Sequence, residues 1–358
     1  MPIILHIGFP KTGTTSLQLS LRANTTELLD RGILYPLVDT RFKQRFLCSL
    51  IDNDGPDDES SSKLGRLAKL IRANQDKTII LSSEELGGVV TRDRNSRNLD
   101  GLVDYLKDLS DDVRLIAYVR EPASYYLSLA QERLKNWPGI VSPEHYQTRF
   151  SSGLQKLERA FGTTAIVKNF DRAALVDGDI TSDFFASFGD LRTPDLTKWK
   201  TRAANASCTA EMMLVLDRTQ QVPSEHRDSV ASEEPGAKHL FRSVRRIARN
   251  LGNTAPPVLF REAAEMVRAT SKSDCDELSA KYGIQFGDYH SLDAAPIHPR
   301  SAWVSDVEGI VPVDRELAFT IWSIVALKGA RHMLQREKKK SKKGSDTARR
   351  RRKRALKR

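Results

Sequence analysis

Four short β-branched runs, Ile3–Ile7, Thr78–Leu81, Arg114–Val119 and Thr164–Val167, constrain the fold of this 358-residue chain more than any other feature. Each is apolar on successive residues instead of alternating, the pattern of parallel strands covered on both faces. Helical periodicity fills the intervals at about 14–30, 63–74, 98–109 and 122–136. Strand–helix alternation of this kind predicts an α/β fold with a central parallel sheet between two helical layers, a three-layer sandwich. From about residue 181 the pattern is almost entirely helical, at 181–189, 209–221, 237–251, 257–282 and 313–335, which makes the C-terminal half helix-rich. These segments read as a helical flank on the sheet or as a small second lobe, with the flank favoured.

The first apolar run leads into Gly8-Phe-Pro10-Lys11-Thr12-Gly13-Thr14-Thr15-Ser16, and then into a helix with apolar periodicity at Leu17, Leu21 and Leu28. A strand, a Gly/Pro turn and a helix start in that order place unpaired N–H groups and a helix dipole at the carboxyl edge of the sheet, where an anion is favoured. Gly8 and Gly13 have the spacing of the nucleotide-triphosphate loop G-x-x-x-x-G-K-[ST], and Thr15 takes its Ser/Thr position. The lysine position holds Thr14, and the only lysine of the loop is Lys11, two residues before the second glycine. Such a P-loop-like turn can still cradle a phosphate, with its cation on the other side and the hydroxyls of Thr12, Thr14, Thr15 and Ser16 as further donors. A nucleoside triphosphatase also needs an acid after an apolar strand to hold Mg²⁺. Here the second strand ends Leu81-Ser82-Ser83-Glu84-Glu85, so the acid is displaced by two small polar residues. Both departures count against an ATP-dependent kinase, which stays as the alternative reading beside an incidental Thr/Gly turn.

The string P-K-T-G-T-T-S-L after the first strand resembles the 5′-phosphosulfate-binding loop, P-K-[ST]-G-[ST]-[ST], of sulfotransferases that use 3′-phosphoadenosine 5′-phosphosulfate (PAPS). A second stretch is similar to the 3′-phosphate-binding element of that family, strand–Arg–x–Pro followed by a helix with Ser eight residues after the Arg. In this chain it reads Val119-Arg120-Glu121-Pro122, with Ser128 on the helix. Arg120 falls at a strand's carboxyl end, where open α/β sheets gather ligands, and Pro122 suits the first helical turn. A guanidinium with a hydroxyl makes a good clamp for a phosphate monoester. The plainer reading is Arg120 in a surface salt bridge and Ser128 as an ordinary helix residue.

The resemblance, closest to bacterial-type proteins similar to carbohydrate and heparan sulfotransferases, implies a sulfotransferase domain over 1–335 and PAPS as sulfuryl donor, with no metal. The implied acceptor is a hydroxyl or amine, on a glycan or lipid-linked sugar. In-line sulfuryl transfer needs positioning and charge stabilisation. Lys11 would stabilise charge on the leaving bridging oxygen, and the 12–16 loop would hold the 5′ group. In the carbohydrate enzymes a Glu just after the corresponding strand is the base, which implies Glu84, with Glu85 pointing another way; alternatively both merely charge a helix N-terminus. His6, inside the first strand, reads as a packed core residue. Arg202-Ala-Ala-Asn205-Ala-Ser207 is similar to an R-x-x-N-x-S loop of the bacterial proteins, with Ser207 read as a helix cap. The resemblance covers about residues 1–220, and the R-K-G loop near the adenine in cytosolic sulfotransferases has no clear counterpart.

Charge is unevenly distributed. The whole chain carries 57 Lys+Arg against 46 Asp+Glu, a formal +11, which taken whole would suggest a nucleic-acid or membrane binder. Residues Arg336–Arg358 hold 14 basic and two acidic side chains, so this 23-residue polybasic tail carries +12 and residues 1–335 carry −1. The body therefore says nothing of polyanion binding, and the tail reads as disordered and solvated. An alternative gives it an anionic membrane surface as partner, together with an apolar helix face over Leu317–Leu327, with nucleic acid ranked lower. A third reading makes the whole protein a non-catalytic anion binder that acts through the tail. Leu317–Leu327 is the longest uncharged apolar-rich run, eleven residues, where about 20 are needed to cross a bilayer. Cys48, Cys208 and Cys275 are scattered and odd in number, which predicts a reduced compartment without a disulfide framework or zinc site. Met1-Pro-Ile-Ile-Leu-His-Ile-Gly8 enters a strand at once with no charged n-region, so no signal peptide is expected. These readings give a cytoplasmic protein, membrane-peripheral if the tail engages lipid. The acidic run Asp52–Glu59 reads as a surface loop, because a calcium loop would need a carboxylate where Lys63 stands.

Overall fold

The computed structural model describes residues 1–38, 44–51, 55–91, 99–191, 196, 199, 207–221, 235–287 (235–238 by backbone alone) and 306–331. The first half runs β1 (Pro2–Ile7), α1 (Thr14–Ala23), α2 (Thr25–Asp30), β2 (Ile33–Leu34), a 3₁₀ turn (Arg45–Leu50), α3 (Asp58–Arg72), β3 (Thr78–Ser83) and α4 (Glu84–Val90). It continues through α5 (Asp100–Lys107), β4 (Asp112–Val119), α6 (Pro122–Arg133), α7 (Phe150–Phe161), β5 (Ile166–Asn169) and α8 (Ile180–Ala186). The second half adds α9 (Ala210–Gln220), α10 (Pro235–Asn250), α11 (Arg261–Thr270), α12 (Lys272–Tyr282), α13 (Val307–Ile310) and α14 (315–331). The chain is thus mixed α/β. Its five strands form one parallel sheet in the order β2-β3-β1-β4-β5.

Successive apolar residues in the strands serve two separate cores. Ile3, Leu5 and Ile7 of β1 join Leu67 of α3 and Leu154 and Leu157 of α7 on one face. Ile4 joins Leu17 and Leu21 of α1 and Phe184 and Phe185 of α8 on the other. Fully burying each such side chain stabilises by roughly 1.5–3 kcal/mol, so both faces must be covered, and the layering is compatible with a three-layer α/β sandwich.

Local chemistry sets where the helices begin and break. The helical period over 14–30 is split at Asn24, whose amide donates to the Ser20 carbonyl at 2.8 Å and leaves the helical backbone at φ −121°, ψ 26°. The acidic run before residue 60 ends as a helix start. The Asp57 carboxylate accepts from Ser60 N at 2.8 Å, and Asp58 and Glu59 occupy the first turn of α3, at the positive end of its dipole.

The described residues divide into two compact units. The first, within Met1–Leu129, Pro143–Ala206 and Arg261–Ala295, contains the sheet. In it Asp274 of α12 accepts from Phe150 N at 2.9 Å and Ser151 N at 2.7 Å, which caps α7, and Arg268 of α11 pairs with Glu121 at 2.8 Å. The second unit, within Ala130–Ser142, Ser207–Phe260 and Pro296–Arg358, is helical. There Thr209 caps α9, and the Glu211 carboxylate accepts from Asn253 Nδ2 at 2.6 Å and Asp314 N at 3.2 Å. Among the described residues no helix is long and apolar enough to cross a membrane.

Candidate functional site

The order of the strands determines where a ligand site can form. β1 and β4 are neighbours, yet α1, which follows β1, packs into one core while Tyr125 of α6 and the apolar face of α7, which connect β4 to β5, pack into the other. Adjacent strands whose connections leave toward opposite faces form a topological switch point, and open α/β sheets bind ligands beyond its carboxyl end. The loop Gly8–Gly13 leaves β1 at that point and Arg120 leaves β4.

The loop is held in an uncommon shape. Lys11 has φ +65°, the left-handed region that non-glycine residues seldom occupy, and Gly13 has φ +80°. Gly13 also leaves no room for a side chain, since a Cβ there would come within 2.4 Å of the Phe170 ring. Thr12 is fully buried and its hydroxyl donates to the Phe9 carbonyl at 2.8 Å; the Thr14 hydroxyl, also buried, reaches the same oxygen at 3.4 Å. Those two hydroxyls close the loop on itself. Thr15 and Ser16 are half-buried in the first turn of α1. Gly13 is the N-cap of α1 and brings no capping side chain, and the first turn has no acid. By contrast α3, α8 and α9 are capped by Asp57, Asp179 and Thr209. Ser16 N and Leu17 N donate to the Gly13 carbonyl at 2.9 and 3.1 Å, so the start of α1 offers an anion the amides of Thr14 and Thr15 and the positive end of its dipole.

Two further groups converge on this loop. Gly8 N donates to the Ser83 carbonyl at 2.9 Å, Gly87 N donates back to the Gly8 carbonyl at 3.3 Å, and a Cβ on Gly8 would sit 2.6 Å from Glu84 Cα. Glu84, the first residue of α4, is thereby fixed against the start of the loop, while its neighbour Glu85 is turned into an ion pair with Arg45 at 2.9 Å. From the other side, Arg120 Nη1 donates to the Lys11 carbonyl at 3.1 Å and its Nε to Ser124 Oγ at 3.0 Å, with the guanidinium 5.9 Å from the centre of the Phe170 ring. The hydroxyl on Arg120 is thus that of Ser124; Ser128 lies one turn farther along the same side of α6, half-buried.

Sequence reasoning had no signal for Tyr125, one of two adjacent tyrosines on α6. Burial pushes its hydroxyl pKa up, the negative charge of Glu84 adds to this, and Arg120 opposes it, which places Tyr125 within the field of both groups. Beneath the loop, His6 is fully buried, with Nδ1 2.8 Å from Ser82 Oγ and its ring edge-on to Tyr118 and Phe184. Burial lowers its pKa to about 3, so it is neutral at any physiological pH. Gln18 completes this layer by donating to the Ser82 carbonyl at 3.0 Å and to Ser82 Oγ at 3.1 Å.

The fold therefore gathers Lys11, the 12–16 segment, Glu84 and Arg120 at one sheet edge, although together they span more than 100 residues of sequence. Arg202 and Asn205 lie outside the described residues, as does the tail Arg336–Arg358. Chemically, the arrangement offers a helix N-terminus and a guanidinium for anionic groups, a lysine in the loop between them, and a carboxylate at the loop's start. Compared with protein-family models, with curated proteins and with solved structures, the chain finds no match.

Proposed function

We propose that this chain is a PAPS-dependent sulfotransferase with a P-loop-like sheet, acting on an acceptor hydroxyl or amine of a glycan or lipid-linked sugar. The observation that carries the reading is the bond from the Arg120 guanidinium to the Lys11 carbonyl: it joins the arginine after β4, which we read as the 3′-phosphate clamp, to the loop after β1, which we read as the 5′-phosphosulfate loop. In this reading the first-turn amides of α1 and the groups of Thr15 and Ser16 hold the 5′-phosphosulfate. The Thr12 and Thr14 hydroxyls keep the loop in shape through the Phe9 carbonyl, and these residues face the donor with their backbone. Arg120 holds the 3′-phosphate and has its geometry set by Ser124, with Ser128 a second hydroxyl along the same helix. The acceptor oxygen bonds to sulfur as the bond from sulfur to the 5′-phosphate oxygen breaks. Lys11 stabilises the charge that develops on that oxygen, Glu84 takes the acceptor proton, and 3′,5′-ADP is the product. The pairing of Glu85 with Arg45 supports Glu84 as the base.

The test is calorimetric titration with 3′,5′-ADP in EDTA, set against 5′-ADP and Mg-ATP. This reading predicts about tenfold or tighter preference for 3′,5′-ADP over 5′-ADP, the worth of one charge-assisted phosphate clamp. Preference for Mg-ATP would overturn it and favour a kinase or nucleotidase with an altered loop. Binding of none of the three would leave a non-catalytic protein acting through its tail.

A further inference from the structure

The helical second unit has a surface of a different kind from the first. Among the described residues the aromatic side chains counted as exposed, Trp137, Phe319 and Trp322, all belong to it. Two of them lie on α14. Ala318 and Ile321 of that helix are buried, whereas Phe319 is 66% exposed, Trp322 44% and Leu327 60%. Phe319, Trp322, Ala326 and Ala330 follow a 3-4-4 spacing and are all exposed, so they form one outward apolar stripe. The rings of Phe319 and Trp322 stack at 6.1 Å, which keeps them together on the surface. Exposed apolar stripes of this kind mark contact sites.

Charge on the same unit identifies the partner. Lys328 and Arg331 are exposed in the last turns of α14, and the sequence beyond carries the 14 basic residues of the tail. Independently, α10 presents His239, Arg242, Arg246 and Arg249, all exposed at 3-4-3 spacing on one face, and its sequence contains no acid. Among the described residues no carboxylate pairs with these arginines. An anionic bilayer satisfies both features, since its interface accepts Trp and Phe while its head groups accept Lys and Arg. A nucleic acid would use the cations and leave the Phe319–Trp322 stack in water. A second copy of the chain would set one cationic surface against another.

We propose that the second unit docks on an anionic membrane surface, with the Phe319–Trp322 face of α14 entering the interface and the basic residues of α10 and of the end of α14 held by head groups. Two weak attachments, apolar and electrostatic, are what stable peripheral binding requires.

The experiment is co-sedimentation of the full chain with vesicles of phosphatidylcholine alone or with about 30% phosphatidylserine, at low and high salt. Binding should be about tenfold stronger with phosphatidylserine and should fall at high salt. The pair Phe319→Ser and Trp322→Ser should lower it about tenfold with an unchanged thermal melt, both side chains being exposed. The pair Arg242→Glu and Arg246→Glu, on a separate helix, should lower it independently. Equal binding to neutral vesicles, or indifference to both pairs of substitutions, overturns the proposal. It is also overturned if duplex DNA is retarded in a gel while vesicles are not pelleted, or if the chain sediments as a dimer that Phe319→Ser and Trp322→Ser dissolve.

Discussion

Acidification should destabilise the sheet through one side chain, His6. Its imidazole is fully buried between Tyr118 and Phe184, 2.8 Å from Ser82 Oγ, and its Nε2 has no hydrogen-bond partner. Burial lowers its pKa from 6.5 to about 3. Between those values the unfolded chain binds a proton that the folded chain refuses. Stability from this group is therefore complete above about pH 6.5 and is lost as the pH falls toward 3. At about 1.4 kcal/mol per pH unit, the loss is roughly 2 kcal/mol between pH 7 and 5 and roughly 4 kcal/mol by pH 3, where the folded imidazole itself begins to take up the proton. Urea denaturation of the natural protein and of His6→Asn, which cannot titrate, isolates the effect from the carboxylates common to both. The variant should start less stable, and the gap should narrow by about 2 kcal/mol between pH 7 and 5. Parallel pH profiles would refute the reasoning and mean that the folded protein accommodates an imidazolium under the loop.

Other perturbations address the loop and its neighbours. Gly8→Ala forces a Cβ to within 2.6 Å of Glu84 Cα; it should cost about 1–3 kcal/mol in urea denaturation and weaken 3′,5′-ADP binding as Glu84 and the loop move apart. Arg120→Lys keeps the charge but gives up the planar fork that reaches Lys11 and Ser124. It should weaken 3′,5′-ADP binding about tenfold or more in calorimetry. Glu84→Gln should lower sulfuryl transfer by about 10²–10⁴-fold while 3′,5′-ADP binding stays within about twofold, separating proton removal from donor binding.

Much of the first unit could be read from sequence because its inner strands β1, β3 and β4 are buried on both faces. The short, mostly apolar runs at Ile3–Ile7 and Arg114–Val119 read as strands by their length and β-branched content, and β1 and β4 form there. β2 left no signal because it is two residues, Ile33–Leu34, paired along one edge of β3. α4 was hidden by its length of seven residues and by Gly87-Gly88 in its middle. Gly87 has no room for a side chain, since a Cβ there would lie 2.5 Å from the Phe9 ring, so close packing outweighs helix propensity. α7 does carry apolar residues at helical spacing, Phe150, Leu154, Leu157 and Phe161, but Ser151-Ser152-Gly153 at its start reads as a loop, and its cap comes from Asp274, more than 120 residues away.

The site shows the same division. Local order made the loop and Arg120 visible, because a strand end, a Gly/Pro turn and a helix start are adjacent in sequence. Which hydroxyl meets Arg120 depends on the rotation of α6, and the structure gives Ser124. That Thr12 and Thr14 turn inward depends on Phe9 having its carbonyl beneath the loop, and neither fact has a local signature. Tyr125 enters the site only because α6 brings it into the field of Glu84 and Arg120.

A crystal structure with 3′,5′-ADP bound, grown in EDTA, tests the central claim most directly. The account predicts the 5′-phosphate on the first-turn amides of α1 beside Lys11, and the 3′-phosphate on the Arg120 guanidinium. It also predicts the Glu84 carboxylate facing the side from which an acceptor would approach. A nucleotide bound elsewhere, or one with its 3′-phosphate away from Arg120, would contradict it.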